Sequence, residues 1–183
     1  MRLIFCDLET TGLSREKHDI IEIAAVVWDN TTNVILDTFQ EYIKPGSHIP
    51  AMITELTGIS DYTVKGAQRS WEVLPRFYAW IKANEGQYFV GHNFKSFDSK
   101  FLAAQVDRYN ITLAEGIKDI PVIDTLQIAR ELNKNGKIKT KDCKQITLAE
   151  YFGIHYDAHE ALNDVKALTQ IYMKFRELDP KLM

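Results

Sequence analysis

Cysteine is scarce in this sequence: 183 residues contain only Cys6 and Cys143. Cys6 sits in an apolar stretch and Cys143 in a lysine-rich one, with no Cys-x-x-Cys spacing. That argues against a disulfide scaffold and for a reducing compartment. No apolar run approaches the roughly 18 residues that a membrane span requires. The opening Met1-Arg2-Leu3-Ile4-Phe5-Cys6-Asp7 meets an acid too early for a signal peptide. A cytoplasmic protein without a membrane partner is expected. Positive charge is not in excess either. Lys and Arg number 22 against 25 Asp and Glu, a formal net charge of −3. This excludes a protein that coats nucleic acid by overall charge alone. Repeats and low-complexity tracts are absent.

What is present is an ordinary globular composition, 45% hydrophobic and 26% charged. The length fits one domain, residues 1–183. A chain of this size buries roughly 70% of its unfolded surface, enough for a core without staples.

The first third reads as strands. Residues 3–9 form a short apolar run ending in acids, 20–28 are rich in Ile, Val and Ala, and 34–43 resume β-type residues after a turn cluster. The pattern predicts a three-strand meander. Helical signals follow. A short helix is expected over 50–57 with Gly58 as its stop, and another over 70–83, capped by Ser70 and interrupted by Pro75. A buried strand is expected at 88–90 and a helix over 97–109. A very short strand at 122–123 leads to a helix capped by Asp124, running to about Leu132. Gly153 ends a helix over 146–152, and 160–178 form the clearest amphipathic helix. The order implies a mixed sheet with helices packed on it. Residues 134–144, with five lysines against Asp142 alone, read as an exposed loop.

Four acids stand where apolar residues belong. Asp7 and Glu9 are two apart on the first strand, so both point to one face, about 6.6 Å apart. Asp98 lies between Phe94, Phe101 and Leu102 on its helical wheel. Asp164 interrupts the stripe Ala161, Val165, Leu168, Tyr172, Phe175. Asp98 and Asp164 each alone read as boundary acids reaching solvent, while Asp7 and Glu9 read equally as water-facing or functional, since the run around them suggests burial on both faces. Together, converging carboxylates repel by about 4 kcal/mol per pair at 4 Å and must protonate or bind cations. Oxygen donors favour Mg²⁺ or Mn²⁺, and two such ions form a clamp for displacement at phosphorus. His159, five residues before Asp164, is placed as a base, although a surface histidine is the common alternative.

Asp7-x-Glu9-Thr10-Thr11-Gly12, Phe97-Asp98 and His159-x-Ala161-x-x-Asp164 together resemble the DEDD exonuclease family in its histidine variant. The likeness is greatest to the branch of proofreading subunits of bacterial DNA polymerase III and their stand-alone relatives. Residues 53–59 and Asp124-Thr125-Leu126 also look like family segments. The resemblance implies an α/β, ribonuclease H-like fold with a five-stranded mixed sheet flanked by helices. It implies a single 3′→5′ exonuclease domain that releases nucleoside monophosphates with two divalent cations, Mg²⁺ or Mn²⁺. Asp7, Glu9 and Asp164 would ligate the ions, Asp7 shared between them. Asp98 would support the second ion through water, and His159 would be the general base. Glu9 would also meet the 3′-hydroxyl, and Thr10, Thr11, Gly12 and Leu13 would border the terminal nucleotide. The implied partner is the 3′ end of a single-stranded nucleic acid, DNA ahead of RNA, with a DNA polymerase or replication complex as an open second partner. One departure is visible. His92-Asn93 is followed by three residues, not two, before Phe97-Asp98, so neither receives a role.

Other classes fit less well. Gly86-x-x-x-x-Gly91 lacks the Lys-Ser/Thr of a phosphate loop. His155 and His159 lie on no helix that would bring both to zinc. No Gly-x-Ser-x-Gly elbow occurs. An exoribonuclease and a non-catalytic nucleic-acid-binding module on the same fold stand as alternatives. The lysine segment reads either as a solvated loop or as a phosphate-backbone contact. Residues 170–175 faintly resemble a sliding-clamp peptide and read as core.

Overall fold

The computed structural model describes residues 1–113, 116–158 and 160–182. Five strands form one sheet: β1 (Arg2–Thr10), β2 (Ile20–Asp29), β3 (Val34–Tyr42), β4 (Tyr88–Gly91) and β5 (Val122–Asp124). Their order is β3-β2-β1-β4-β5. The first three strands make the expected antiparallel meander. β4 joins β1, and β5 joins β4, in parallel. The sheet is therefore mixed, as the pattern required.

Helices cover both faces. On one side, α6 (Ala161–Leu178) lays Ala161, Val165, Leu168 and Tyr172 on Leu3, Phe5, Ala24, Val26 and Trp28. These helical positions recur at spacings of four and three, which is why one stripe meets the sheet. On the other side, α2 (Ser70–Ala83) and α3 (Asp98–Arg108) bury Val73, Leu74, Phe77, Phe101 and Leu102 against Ile4, Cys6, Leu8 and Val27. β1 is thus covered twice, and Leu3, Ile4, Phe5 and Cys6 are at most 1% exposed. Two shorter helices, α4 (Thr125–Lys134) and α5 (Gln145–Phe152), add a second layer beyond α6 through Leu132, Leu148, Ile171 and Phe175. Ile171, Tyr172 and Phe175 are fully buried, so the apolar anchors of residues 170–175 are core, while Gln170 stays exposed. Among the described residues, no helix is long and apolar enough to cross a membrane.

Local signals mostly act as expected. α1 (Ala51–Thr57) stops at Gly58, whose φ of +73° suits glycine. The Asp124 carboxylate accepts the Leu126 amide at 3.1 Å and caps α4, which runs two residues beyond Leu132. Ser70 is not the cap of α2. It is the first helical residue, and Arg69 takes the cap position because Glu72, three residues on, accepts the Arg69 amide at 3.0 Å. The helix continues through Pro75, because burying Val73, Leu74, Phe77 and Ile81 outweighs one lost backbone bond. α3 is one residue shorter at each end than expected. The lysine segment is a loop only after Lys134, and it inserts Ile138 fully into the core.

The parallel strands place the carboxyl ends of β1, β4 and β5 at one edge. β4 pairs with β1 only over Leu3, Ile4 and Phe5. Beyond Phe5, β1 continues with no strand paired on that side among the described residues. The result is an opening at the strand ends, the usual place for a ligand in such sheets.

Candidate active site

The odd-numbered residues of β1 face α6. Leu3 and Phe5 pack there, so Asp7 and Glu9, further along the same face, point toward the first turn of that helix. Asp164 occupies this first turn. Ala161, small and fully buried, lets the helix approach the sheet closely. Carboxylate oxygens of Asp7, Glu9 and Asp164 consequently lie within 4.8 Å of one another. All three side chains are half-buried and accessible from the opening.

Asp98 stands outside this set of three. It begins α3, is only 4% exposed, and takes a hydrogen bond from the Leu8 backbone. Its charge reaches the cluster: after burial, Asp98 is the largest influence raising the Asp7 carboxyl well above the ordinary range. Burial pushes Glu9 up to about 8, helped by Asp164, Glu22 and Asp98. Burial likewise pushes Asp98 up to about 7, against the backbone amides of Asp98 and Leu8 that favour its charged form. No Lys or Arg forms an ion pair with Asp7, Glu9 or Asp98 among the described residues. An uncompensated set of acids in a half-dry cleft is a demand for cations. His159 lies outside the described residues.

The segment after β1 is tightly built. Thr10 Oγ1 donates to the Gly12 carbonyl at 2.8 Å. Thr11 exchanges two bonds with Asp19, through its amide at 2.9 Å and its hydroxyl at 3.0 Å. A Cβ at Gly12 would lie 2.6 Å from His18 Nε2, so only glycine fits against that ring. Thr10 and Thr11 are buried, whereas Leu13 is 86% exposed beside the opening.

Several supporting residues were not singled out from sequence. Glu22 is directly opposite Glu9 on β2, is 1% exposed, and accepts from Gln40 Nε2 at 2.8 Å and from the Ala161 amide. It therefore fixes the start of α6 to the sheet. A lone acid inside the apolar run 20–28 was its signal. Gln145, the first residue of α5, donates through Nε2 to both the backbone oxygen and Oδ1 of Asp164, each at 3.0 Å. Tyr156 also meets this pair, with its hydroxyl 3.5 Å from the same nitrogen. No periodicity announces either contact.

Asp124 does more than cap α4. It accepts the amides of Asn93 and Lys95, each at 3.0 Å, and so clamps the turn after β4. Asn93 has a φ of +64°, which asparagine tolerates. His92 Nδ1 lies 3.0 Å from Thr125 Oγ1, and its ring also bonds the Cys143 backbone. Burial holds this imidazole below its ordinary value. The three-residue spacing between Asn93 and Phe97 is thus absorbed by a turn pinned to Asp124.

This geometry is the setting for the comparisons with known proteins. The family model described as Exonuclease (RNase_T) matches residues 4–172. The chain belongs to this exonuclease family. It is a nuclease, and its fold is ribonuclease H-like. A DNA polymerase III PolC-type of Caldanaerobacter subterraneus subsp. tengcongensis is 37% identical over 174 residues, covering 93% of this chain. The corresponding protein of Streptococcus thermophilus is 37% identical over 171 residues, covering 92%. The exonuclease chain spans only 11% of the length of either relative. Among solved structures, E. coli exonuclease I in complex with a dT13 oligonucleotide superposes with a TM-score of 0.86 at 19% identity, over 99% of this chain and 42% of the other. A zinc-bound complex of the same enzyme with single-stranded DNA gives 0.86 at 20% identity, over 99% and 41%. At such identity the likeness bears on fold alone.

Proposed function

We propose that this exonuclease removes nucleotides from the 3′ end of single-stranded DNA, holding two divalent cations, Mg²⁺ or Mn²⁺, and releasing nucleoside 5′-monophosphates. The single observation that carries the reading is the convergence of Asp7, Glu9 and Asp164 within 4.8 Å, with no cation of the chain paired to Asp7 or Glu9 among the described residues. The donor set fits hard ions. Oxygens sharing one Mg²⁺ at about 2.1 Å lie no more than about 4.2 Å apart. A cluster held within 4.8 Å is of the size that a shared cation requires.

In this reading Asp7, Glu9 and Asp164 would hold the ions, and Asp98 would support them. When bound, the ions supply charge stabilisation at the scissile phosphate and make a nucleophile available near neutral pH. His159 takes the proton from the attacking water. The new P–O bond forms as the P–O3′ bond breaks, the departing O3′ takes up a proton from solvent, and the shortened strand leaves with a free 3′-hydroxyl. Glu9 meets the 3′-terminal hydroxyl, and the backbone of Thr10, Thr11, Gly12 and Leu13 borders the terminal nucleotide. Gln145 holds Asp164 in place through its two hydrogen bonds.

The names of the relatives, DNA polymerase III PolC-type, support DNA as substrate and a replication polymerase as partner. The free Cys6 thiol, buried in the core, suits a cytoplasmic setting. The RNase_T label of the family favours a second reading, trimming of RNA 3′ ends. Matched DNA and RNA oligomers, single- and double-stranded, digested side by side with Mg²⁺ or Mn²⁺, decide between them. Mononucleotides should leave the 3′ end of single-stranded DNA fastest. Binding without release, or full activity in excess chelator, would overturn the proposal.

A further inference from the structure

The loop between α4 and α5 plays no part in the chemistry above. Together with Lys134, the last residue of α4, the segment 134–144 holds five lysines and one acid, a local charge of +4 on a chain of −3, which leaves −7 elsewhere. All five lysines are exposed. Lys137 pairs with Asp179 at 3.2 Å. Among the described residues, Lys134, Lys139, Lys141 and Lys144 form no ion pair.

The loop is held rather than loose. Ile138 is fully buried against Leu132, Leu148 and Phe175. The Asn133 side chain donates to the Thr140 carbonyl at 3.2 Å and accepts the Thr140 amide at 3.3 Å. With Ile138 and Thr140 turned inward, the alternate residues Lys137, Lys139 and Lys141 share the outer side, roughly 6.6 Å apart where the chain is extended. Two further pins tie the chain just after this row to the site. Cys143 is bonded through its backbone to His92, directly after β4. Gln145, next after Lys144, carries the amide that holds Asp164. Lys141 is four residues from Gln145, at most about 14 Å of chain.

We propose that this loop binds the phosphate backbone of the single strand behind its 3′ end, with Lys139 and Lys141 as the principal contacts. The assignment rests on the exonuclease reading and extends it to how a chain of net negative charge holds a polyanion. Ammonium groups attract phosphates without reading bases, and each contact releases counterions from the strand. Concentrating the positive charge beside the site guides the strand toward the carboxylates, which would otherwise repel it.

The test compares wild type with the double variant Lys139→Ala/Lys141→Ala in three measurements. On a long single strand at about 0.1 M salt, the variant's KM should rise roughly tenfold with kcat unchanged, and the salt slope of log affinity should flatten by about 1.4. On a chromogenic thymidine 5′-phosphodiester, which has no upstream phosphates, the two proteins should be equal. Equal melting temperatures check that the fold is kept. Binding of a labelled long strand in chelator, where no turnover occurs, should show the same loss. An unchanged KM and salt slope on the long strand overturns the proposal. A wild type that binds the strand through these lysines but cleaves neither substrate overturns the exonuclease reading instead.

Discussion

Helix α3 carries two contrasting aspartate environments, one at each end. At its start, Asp98 is 4% exposed; beside its last turn, Asp19 is 6% exposed. Asp19 is answered in full by the chain. Arg108 pairs with it at 2.5 Å, Gln105 donates at 3.2 Å, and the Gly46 amide donates at 2.8 Å. Asp98 receives backbone amides, no Lys or Arg among the described residues, and adds its charge to that of Asp7 and Glu9. Similar burial with opposite compensation separates an acid with a built-in cation from one that only backbone amides answer. Asp19 fastens the loop after β1 to α3, whereas Asp98 has no cationic side chain paired to it among the described residues.

Five changes would break or sharpen that contrast. The largest effect is expected at the uncompensated end. Asp7→Ala or Asp164→Ala should abolish nucleotide release while leaving the metal-free fold as stable or more so, because one acid fewer relieves repulsion. Wild-type rates in either variant would contradict the assignment. His159→Ala should lower kcat by roughly 10²–10⁴-fold, the scale of a lost general base, as measured on single-stranded DNA at saturating Mg²⁺. Gln145→Ala should raise the Mg²⁺ concentration for half-maximal rate by about 10–100-fold, with less effect at saturation. A titration unchanged in Mg²⁺ would show that Asp164 needs no support. At the compensated end, Arg108→Met should cost roughly 2 kcal/mol in denaturant unfolding, below the full value for a buried pair because Arg108 is about a third exposed. Its activity should persist wherever the protein stays folded.

The smallest effect is a pH trend. Glu9 has a folded-state value of about 8 against an ordinary 4.5, so between these values the folded metal-free protein binds more protons than the unfolded chain. Its contribution is fully present below 4.5 and is lost as pH rises through 8. Melting temperatures in chelator should therefore fall across this window. Saturating Mg²⁺ should remove the trend by favouring the ionised carboxylate. A metal-free protein that grows more stable over the same range would argue against the crowding of acids.

Much of the site was legible because it is written in local geometry. A two-residue period put Asp7 and Glu9 on one face, and helical spacing exposed Asp98 and Asp164 as intruders among apolar neighbours. Glu22 carried a similar signal, one acid within the apolar run 20–28, yet a strand position alone does not say that it faces Glu9. Gln145 carried none, because its partner lies 19 residues away on another helix. Asp124 could be read as a cap, but its hold on the turn after β4 depends on two strands lying side by side. Ser70 misled because it is a good capping residue beside a position where Glu72 makes a non-standard cap workable.

Element types, the meander, the apolar stripe of α6 and the oddness of four acids all follow from the order of residues, since each depends only on neighbours a few positions apart. Which acids meet, which one is neutralised by Arg108, and where the lysines end up depended on how distant segments pack. Charge compensation acts over a few ångströms of space, and only the folded chain sets those distances.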